Sequence, residues 1–321
     1  MKKTNKILLI RMLSLGEIAS VAVPALRYLQ QTRPDSEITV LTYGAGEKII
    51  KLAEPTVQVS ALLDGFWPDE FLPAMETFLG LAEDILAVEY DEVINLDTAF
   101  MPCFLARFLK DAGEKVTGNI LSMSVQSLIA DFQTQALQPE FVQEQSLYLE
   151  STYFTMATWH TQWWQGAYLP DGGYPEYYLS RSCGYIDYQH NDHIELSEPT
   201  PINKPAKKVI ALALAPSAQD AGFDRNQILQ EKLIAAGFDI LNEFRKSSDV
   251  EQQFKDLNRA DLLVTLARDA FWFAKAVNCP RLLLAADNEP KMLMSEYTIE
   301  TALNDINLDE LIDAITEITS S

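Results

Sequence analysis

The feature that most restricts how this chain can fold is a repeated alternation of short, almost unbroken apolar runs with longer segments of helical period. In the first half, "KILLIR" (Lys6 to Arg11), "EITVLTY" (Glu37 to Tyr43), "VQVSALLD" (Val57 to Asp64), "DEVINLD" (Asp91 to Asp97) and "EKVTGN" (Glu114 to Asn119) read as strands bounded by turn chemistry. Helical patterns over Ile18 to Gln31, Glu47 to Ala53, Pro68 to Ala87 and Pro102 to Ala112 separate them. Strands that alternate with helices need crossover connections, so the sheet is expected to be parallel and covered on both faces.

The alternation lapses after Gly118. From Gln145 to Gln165 the spacing predicts one long helix, and "GAYLPDGGYPEYYLS" after it is punctuated by Gly and Pro. "SEPTPINKPAKK" (Ser197 to Lys208) concentrates Pro, polar and basic residues in the manner of a linker. The pattern then resumes with strands over Lys208 to Leu214, Phe238 to Phe244, Asp261 to Ala267 and Pro280 to Ala286. Its helices are Asp224 to Ala236, Val250 to Ala260, Asp269 to Asn278 and Leu308 to Ile318. The expectation is an α/β chain of two Rossmann-like α/β/α domains facing a central cleft, residues 1–180 and 208–321, joined by a linker region at 181–207. Ligands of such folds sit at the carboxyl ends of the strands.

Composition narrows the partners. With 25 Lys and Arg against 46 Asp and Glu, the formal charge of −21 repels a nucleic-acid backbone or an anionic leaflet on average. Any phosphate ligand must then be held by a local basic cluster. Three widely spaced cysteines (Cys103, Cys183, Cys279) do not form a disulfide framework, and a cytoplasmic setting is expected. "HNDH" (His190 to His193) reads as a solvated loop, so no metal site is expected. The opening "MKKTNKILLIRMLSLGEIASVAVPA" imitates a secretory signal, but Arg11 and Glu17 interrupt the apolar run and the pattern continues into a helix. It therefore reads as the first strand of a fold. No run reaches the ~20 apolar residues of a bilayer span, leaving at most peripheral membrane contact.

The stretch "KILLIRMLSLGEIASVAVPALRYLQQTRPDSEITVLT", with Gly16-Glu17, Pro24-Ala25-Leu26 and Pro34, resembles the opening of the heptosyltransferase-like glycosyltransferases, family nine of the sequence-based classification. "YDEVINLDTAFMPCFLARFL" and "RADLLVTLARDAFWFAKAVNCPRLLLAA" are similar to later segments of the same family, so the resemblance runs over nearly the whole chain. It implies the GT-B fold and an inverting, metal-independent transfer of a sugar from a nucleotide donor, usually ADP-heptose, to a lipopolysaccharide-type acceptor. The nucleotide sugar is then a co-substrate, and no resident cofactor is expected.

Such a transfer needs a carboxylate to take the acceptor proton, and positive charge or helix amides to hold the departing diphosphate. Glu17 stands where the family places a Gly-Asp base, with Gly16 letting the chain turn and with Arg11 and Ser14 as acceptor or phosphate contacts. Its own setting equally reads as a helix N-terminal carboxylate favoured by the dipole. The longer side chain moves the carboxylate by roughly 1.5 Å, and a displacement of ~1 Å can cost about 100-fold in rate.

The donor half departs further from the family. "APSAQDAGFDRNQ" has Pro216-Ser217-Ala218 and lacks the family's Lys, leaving Arg225 as the one cation of that window. The signature Asp-Thr-Gly-x-x-His corresponds to Ala267-Arg268-Asp269-Ala270-Phe271-Trp272, without the Asp, Gly or His in register. Ser217, Arg225 and Arg268 are the candidate donor contacts, with Glu243 or Glu251 read either as ribose partners or as solvated charges. Phe271, Trp272 and Phe273 read alternatively as core that fills the pocket, Arg225 as an exposed helix-start arginine, and Asp261 as a strand-entry residue.

Between Tyr148 and Tyr188 lies a belt of aromatics with Arg181 as its one basic residue. Tyr148, Phe154, Trp159 and Trp163 fall at helical spacing, which favours packing. Tyr174, Tyr177 and Tyr178 read either as packing or as a wall that stacks on sugar rings. Three functions stay open: a glycosyltransferase with an altered donor site, a non-catalytic relative that binds a glycan or a protein, and a sugar-nucleotide epimerase on the same fold.

Overall fold

The computed structural model describes residues 4–12, 14–63, 66, 71–156, 163–166, 169–196, 207–215, 222–241, 249–285 and 290–320. The chain divides into two compact units, one of Met1–Trp163 with Glu176–Asn191 and one of Trp164–Pro175 with Asp192–Ser321. Each holds its own sheet.

The first sheet contains β1 (Asn5–Ile10), β2 (Ser36–Tyr43), β3 (Gln58–Leu62), β4 (Glu92–Asn95), β5 (Val116–Leu121) and β6 (Leu149–Ser151) in the order β3-β2-β1-β4-β5-β6. All pairings are parallel except β5 with β6. Ile7, Leu8, Leu9 and Ile10 are all buried, as expected of a strand with helices over both faces. The crossovers are α1 (Leu15–Glu17) with α2 (Val23–Thr32), α3 (Gly44–Ala53), α4 (Phe71–Val88) and α5 (Phe100–Asp111). Chain order reverses between β1 and β4, which makes their carboxyl ends the switch point where open α/β sheets place ligands.

The second sheet runs β11-β10-β9-β7-β8, all parallel, with β7 (Val209–Ala213), β8 (Asp239–Leu241), β9 (Leu262–Thr265), β10 (Arg281–Leu284) and β11 (Tyr297–Ile299). Its helices are α10 (Asn226–Ala235), α11 (Val250–Arg259), α12 (Asp269–Ala276), α13 (Pro290–Leu293) and α14 (Leu308–Ser320). Leu229, Val264, Leu284, Leu311 and Ile315 meet in its core. The switch point here lies between β7 and β9.

Among the described residues the expected strands and crossover helices form close to their expected bounds, and most of the expected linker, 197–206, lies outside those residues; the middle of the chain corrects the reading from sequence. The long helix expected over Gln145 to Gln165 is absent. α6 (Val125–Gln133) and α7 (Pro139–Gln143) lead into a single turn, α8 (Gln145–Tyr148), and the chain then extends as β6, antiparallel to β5. The open edge of β5 offers Leu149–Ser151 ladder partners, and this tertiary pairing outweighs helical propensity. Phe154, expected on a packed face, is 98% exposed. The short elements α13 and β11 carry no periodic signal long enough to read from sequence.

β5 also contains a steric constraint. Gly118 has φ +99°, and a Cβ there would sit 2.1 Å from the Asn95 carbonyl oxygen. Gly118→Ala is expected to cost about 1–3 kcal/mol from backbone strain alone. Gly113→Ala, at a similar φ with no atom within 4 Å, is expected to cost less; urea denaturation of the two variants checks the order.

At the opposite end of β4, Glu92 is buried and accepts from Arg33 (2.8 Å), Lys115 (2.9 Å) and Thr117 (2.7 Å). Burial raises its proton affinity, but the donors from Lys115, Thr117 and Arg33 outweigh that and hold the carboxyl below its ordinary value. A carboxyl depressed by folding stabilises above its unfolded value and loses that contribution as pH falls through the folded one. Glu92→Gln should therefore weaken the protein at pH 7 and flatten the loss of stability on acidification below pH ~4.5, as read by thermal melts across pH.

Candidate functional site

At the end of β1 the chain turns through Ser14, whose φ of 39° is the unusual backbone angle of this loop. Gly16, expected to make that turn, is instead buried inside α1. The Ser14 carbonyl accepts from the N–H groups of Glu17 and Ile18, both at 3.0 Å. Ser14 is exposed and makes no side-chain cap. The helical ladder then widens over Ile18–Ala22, where the Val23 N–H reaches the Ile18 carbonyl. Pro24 has no N–H to close a regular turn onto Ser20, which accounts for the wide π-type turn at this point.

This geometry brings Glu17 back over the end of β1, against Arg11. The Arg11 side chain, 1% exposed, places Nη2 2.7 Å from Glu17 Oε2 and Nη1 3.3 Å from Asp97 Oδ1. Nη1 also donates to the Leu96 carbonyl at 2.5 Å. The guanidinium thus ties the carboxyl end of β1 to that of β4 across the switch point. Asp97 is fully buried, and its Oδ2 accepts from the Met12 N–H at 2.6 Å. Glu17 keeps 26% of its side chain exposed, so it is the one carboxylate of the cluster open to a ligand.

Behind the cluster lies a layer of neutral polar groups. Asn95 Nδ2 donates to the Asn119 carbonyl at 2.8 Å, Asn119 Nδ2 donates to the Asp97 carbonyl at 3.0 Å, and the Asp97 N–H donates to Asn95 Oδ1 at 3.0 Å. Tyr178 is fully buried; its hydroxyl donates to the Leu96 carbonyl at 2.7 Å and accepts from Asn119 at 3.0 Å. Tyr178 therefore anchors this layer and presents no face to a sugar. Trp163 stacks on Tyr177 of the short helix α9 (Tyr174–Tyr177), with ring centroids 4.3 Å apart. Trp159 and Tyr168 lie outside the described residues.

In the second unit the β7–β9 switch point also carries an arginine. Arg268, at the start of α12, donates from Nη1 to the Ala215 carbonyl at 2.5 Å, just past β7. Burial lowers the proton affinity of this guanidinium. Phe271, Trp272 and Phe273 are buried; Phe271 and Trp272 pack with Leu283 and Ala285, and Arg281 lies 4.4 Å over the Phe271 ring. The aromatic side chains of α12 are thus core. Arg225 donates to the carbonyls of Ile306 (2.8 Å) and Leu303 (2.6 Å), which makes it a clamp on the approach to α14. Glu251 pairs with Lys255 on its own helix at 3.0 Å, and Asp261 accepts from the Val209 N–H at 2.8 Å. Ser217 and Glu243 lie outside the described residues. His190 bonds Tyr188 and His193 bonds Asn278, and among the described residues no cluster of metal-ligating side chains forms.

The structure thus brings together Arg11 and Glu17, adds Asp97, Asn95 and Asn119, which reading the sequence did not single out, and places Tyr178, read there as packing or a sugar wall, as a buried anchor behind them. The available signal was placement: "INLD" and "TGN" end apolar strands in buried polar groups at the carboxyl edge where ligands bind.

No family model matches the chain, and no curated protein matches it. Among solved structures, the family 9 glycosyl transferase from Veillonella parvula superposes with a TM-score of 0.67 at 13% identity, covering 100% of this chain and 98% of the other. The E. coli heptosyltransferase WaaC with ADP gives 0.61 at 12% identity over 98% and 99%. The E. coli ADP-heptose lipopolysaccharide heptosyltransferase II gives 0.60 at 13% identity over 98% of each. The shared feature is the fold, the α/β fold of GT-B glycosyltransferases over essentially the whole chain. Among the described residues no helix is long and apolar enough to cross a membrane.

Removing one partner of a buried ion pair leaves a charge stranded and costs about 3–5 kcal/mol. Arg11→Met and Asp97→Asn are each expected to lose about that much in urea unfolding, with the double variant losing clearly less than the sum.

Proposed function

We propose that the protein is an inverting, metal-independent glycosyltransferase of the cytoplasm. It moves a heptose-like sugar from a nucleotide-sugar donor to a hydroxyl of a cell-envelope glycan or glycolipid of lipopolysaccharide type. The observation that carries this reading is Glu17: a partly exposed carboxylate, held by a buried arginine at the switch point of a fold shared with three glycosyltransferases. In the reaction Glu17 takes the proton of the acceptor hydroxyl while that oxygen attacks the anomeric carbon. The bond to the nucleotide diphosphate breaks on the opposite face, and configuration inverts. Arg11 orients the carboxylate; Arg268 and the amides that open α12 are the donor-side groups suited to the departing diphosphate. The heptosyltransferase bound to ADP supports an adenine nucleotide as the first donor to try.

A second reading, a non-catalytic relative that binds a glycan or a protein, is favoured by the buried aromatics of α12 and by the engagement of Arg268 with the Ala215 carbonyl. Titration with ADP, UDP, GDP and CMP sugars separates the two. A donor is expected to raise the melting temperature by several degrees, since a ligand at about 100 times its Kd adds about 2.7 kcal/mol. Glu17→Gln is expected to keep that shift and to slow transfer by about 100-fold or more. A panel without any shift decides for the non-catalytic reading.

A further inference from the structure

The carboxylate of Glu17 rests on Arg11, and Arg11 is held in turn by a part of the chain far from it in sequence. The first unit is completed by a returning segment, Glu176–Asn191. Its Tyr178 faces the guanidinium, with Arg11 Cζ 5.8 Å from the centre of the ring. A cation over an aromatic face is attracted to it, the more so where both are shut away from water, and both of these side chains are buried. The Tyr178 hydroxyl donates to the Leu96 carbonyl at 2.7 Å, the same carbonyl that accepts from Arg11 Nη1 at 2.5 Å. Ring and hydroxyl thus act on one guanidinium, the first by direct contact and the second by fixing an acceptor that the guanidinium uses.

The returning segment also grips the helical run that follows Glu17. Tyr185 stacks on Tyr28 of α2 with ring centroids 4.3 Å apart. The Tyr28 hydroxyl donates to the Ile186 carbonyl at 3.2 Å, and Arg27 Nη1 donates to the Asn191 carbonyl at 3.1 Å. Backbone geometry marks the same two places. Among the described residues the helical ladder widens to a π-type turn over Ile18–Ala22, directly after Glu17, and over Tyr178–Ser182, beginning at Tyr178. Such turns are rare and recur at functional sites. Each of these two abuts a residue that contacts Arg11.

We propose that Tyr178 is a positioning residue for the transfer, setting the Arg11 guanidinium and through it the Glu17 carboxylate, an inference that rests on the transferase reading and says how its base is held. Tyr178→Phe keeps the ring and removes the hydroxyl. Its control is Tyr148→Phe, which removes an equivalent bond, from a buried hydroxyl to the Thr98 carbonyl at 2.8 Å. Transfer is measured from ADP-heptose to deacylated lipopolysaccharide core. Tyr178→Phe is expected to lower kcat about tenfold with donor KM within about twofold, because a small displacement of a reacting group is costly. Tyr148→Phe is expected to leave both unchanged. In a Glu17→Gln background, where no base remains to be positioned, adding Tyr178→Phe is expected to lower kcat no further. Should Tyr178→Phe fail to fold, Tyr185→Leu, which loosens the same segment at its stack on Tyr28, is read in the same way. A tyrosine that serves the fold alone would lower kcat in both backgrounds alike; that result, or an unchanged kcat, overturns the proposal and leaves the transferase reading standing. The resting protein gives a readout that needs no turnover. In nitrogen-15 NMR the Arg11 Nη–H signals are expected to be separate, since the contacts of the guanidinium block its rotation, and to merge in Tyr178→Phe but not in Tyr148→Phe. Signals that do not respond overturn the proposal as well. Absence of both transfer and any nucleotide-sugar response would instead remove the transferase reading, and the positioning role with it.

Discussion

The buried guanidinium of Arg11 is the constraint on which the first unit depends. A cation shut away from water needs counter-charge and hydrogen bonds, because its desolvation is otherwise far too costly. Asp97 and Glu17 supply the charge, and the Leu96 carbonyl supplies a bond. These partners come from two places: the loop that leaves β4, with Leu96 and Asp97, and the start of the first crossover helix, with Glu17. Satisfying one side chain thus fixes the ends of the two central strands and the entry of the helix at the same time. The asparagines and Tyr178 behind it supply donors to the carbonyls of Asn119 on β5 and of Leu96 and Asp97 in the loop after β4.

The second unit solves the same topological problem with less charge. Arg268 also sits at a switch point, where it donates to a backbone carbonyl, and α12 behind it is packed with aromatic rings. Arg225, the other cation of that half expected near a donor, is committed to the carbonyls of Leu303 and Ile306. The first unit therefore concentrates its polar chemistry at the switch point, whereas the second places aromatic core beside its own. A fold-level likeness at 12–13% identity is compatible with both states.

What could be read in the sequence follows from how each element is stabilised. Strands such as "KILLIR" and "DLLVTLA" are buried on both faces, so their apolar runs are unbroken and their identity is local. β6 is different: Leu149–Ser151 is a strand only because the edge of β5 is there to pair with it, and nothing within those residues announces it. The same distinction divides the site. Glu17 and Arg11 stand out as charges inside an apolar run. Asp97 ends a strand in the ordinary way of an exposed residue, and only the neighbouring position of β4 and β1 turns it into a buried counter-ion.

This division also decides which residue carries evidence about chemistry. Arg11 and Asp97 have a folding task, since they hold β1 to β4, and they would be required in an active and an inactive protein alike. Glu17 is held differently. If it is removed, Arg11 still has Asp97 and the Leu96 carbonyl, and among the described residues the ion pair of the Glu17 carboxylate is with Arg11, while part of its side chain stays exposed. The longer arm of a glutamate is tolerable because its partner is fixed: the guanidinium is rooted on the β4 side, so the added methylene ends on a defined donor and the carboxylate is not left to roam. A buried arginine that serves the fold thereby supplies the orientation a base requires, and the chemical question narrows to the one carboxylate that the fold can spare.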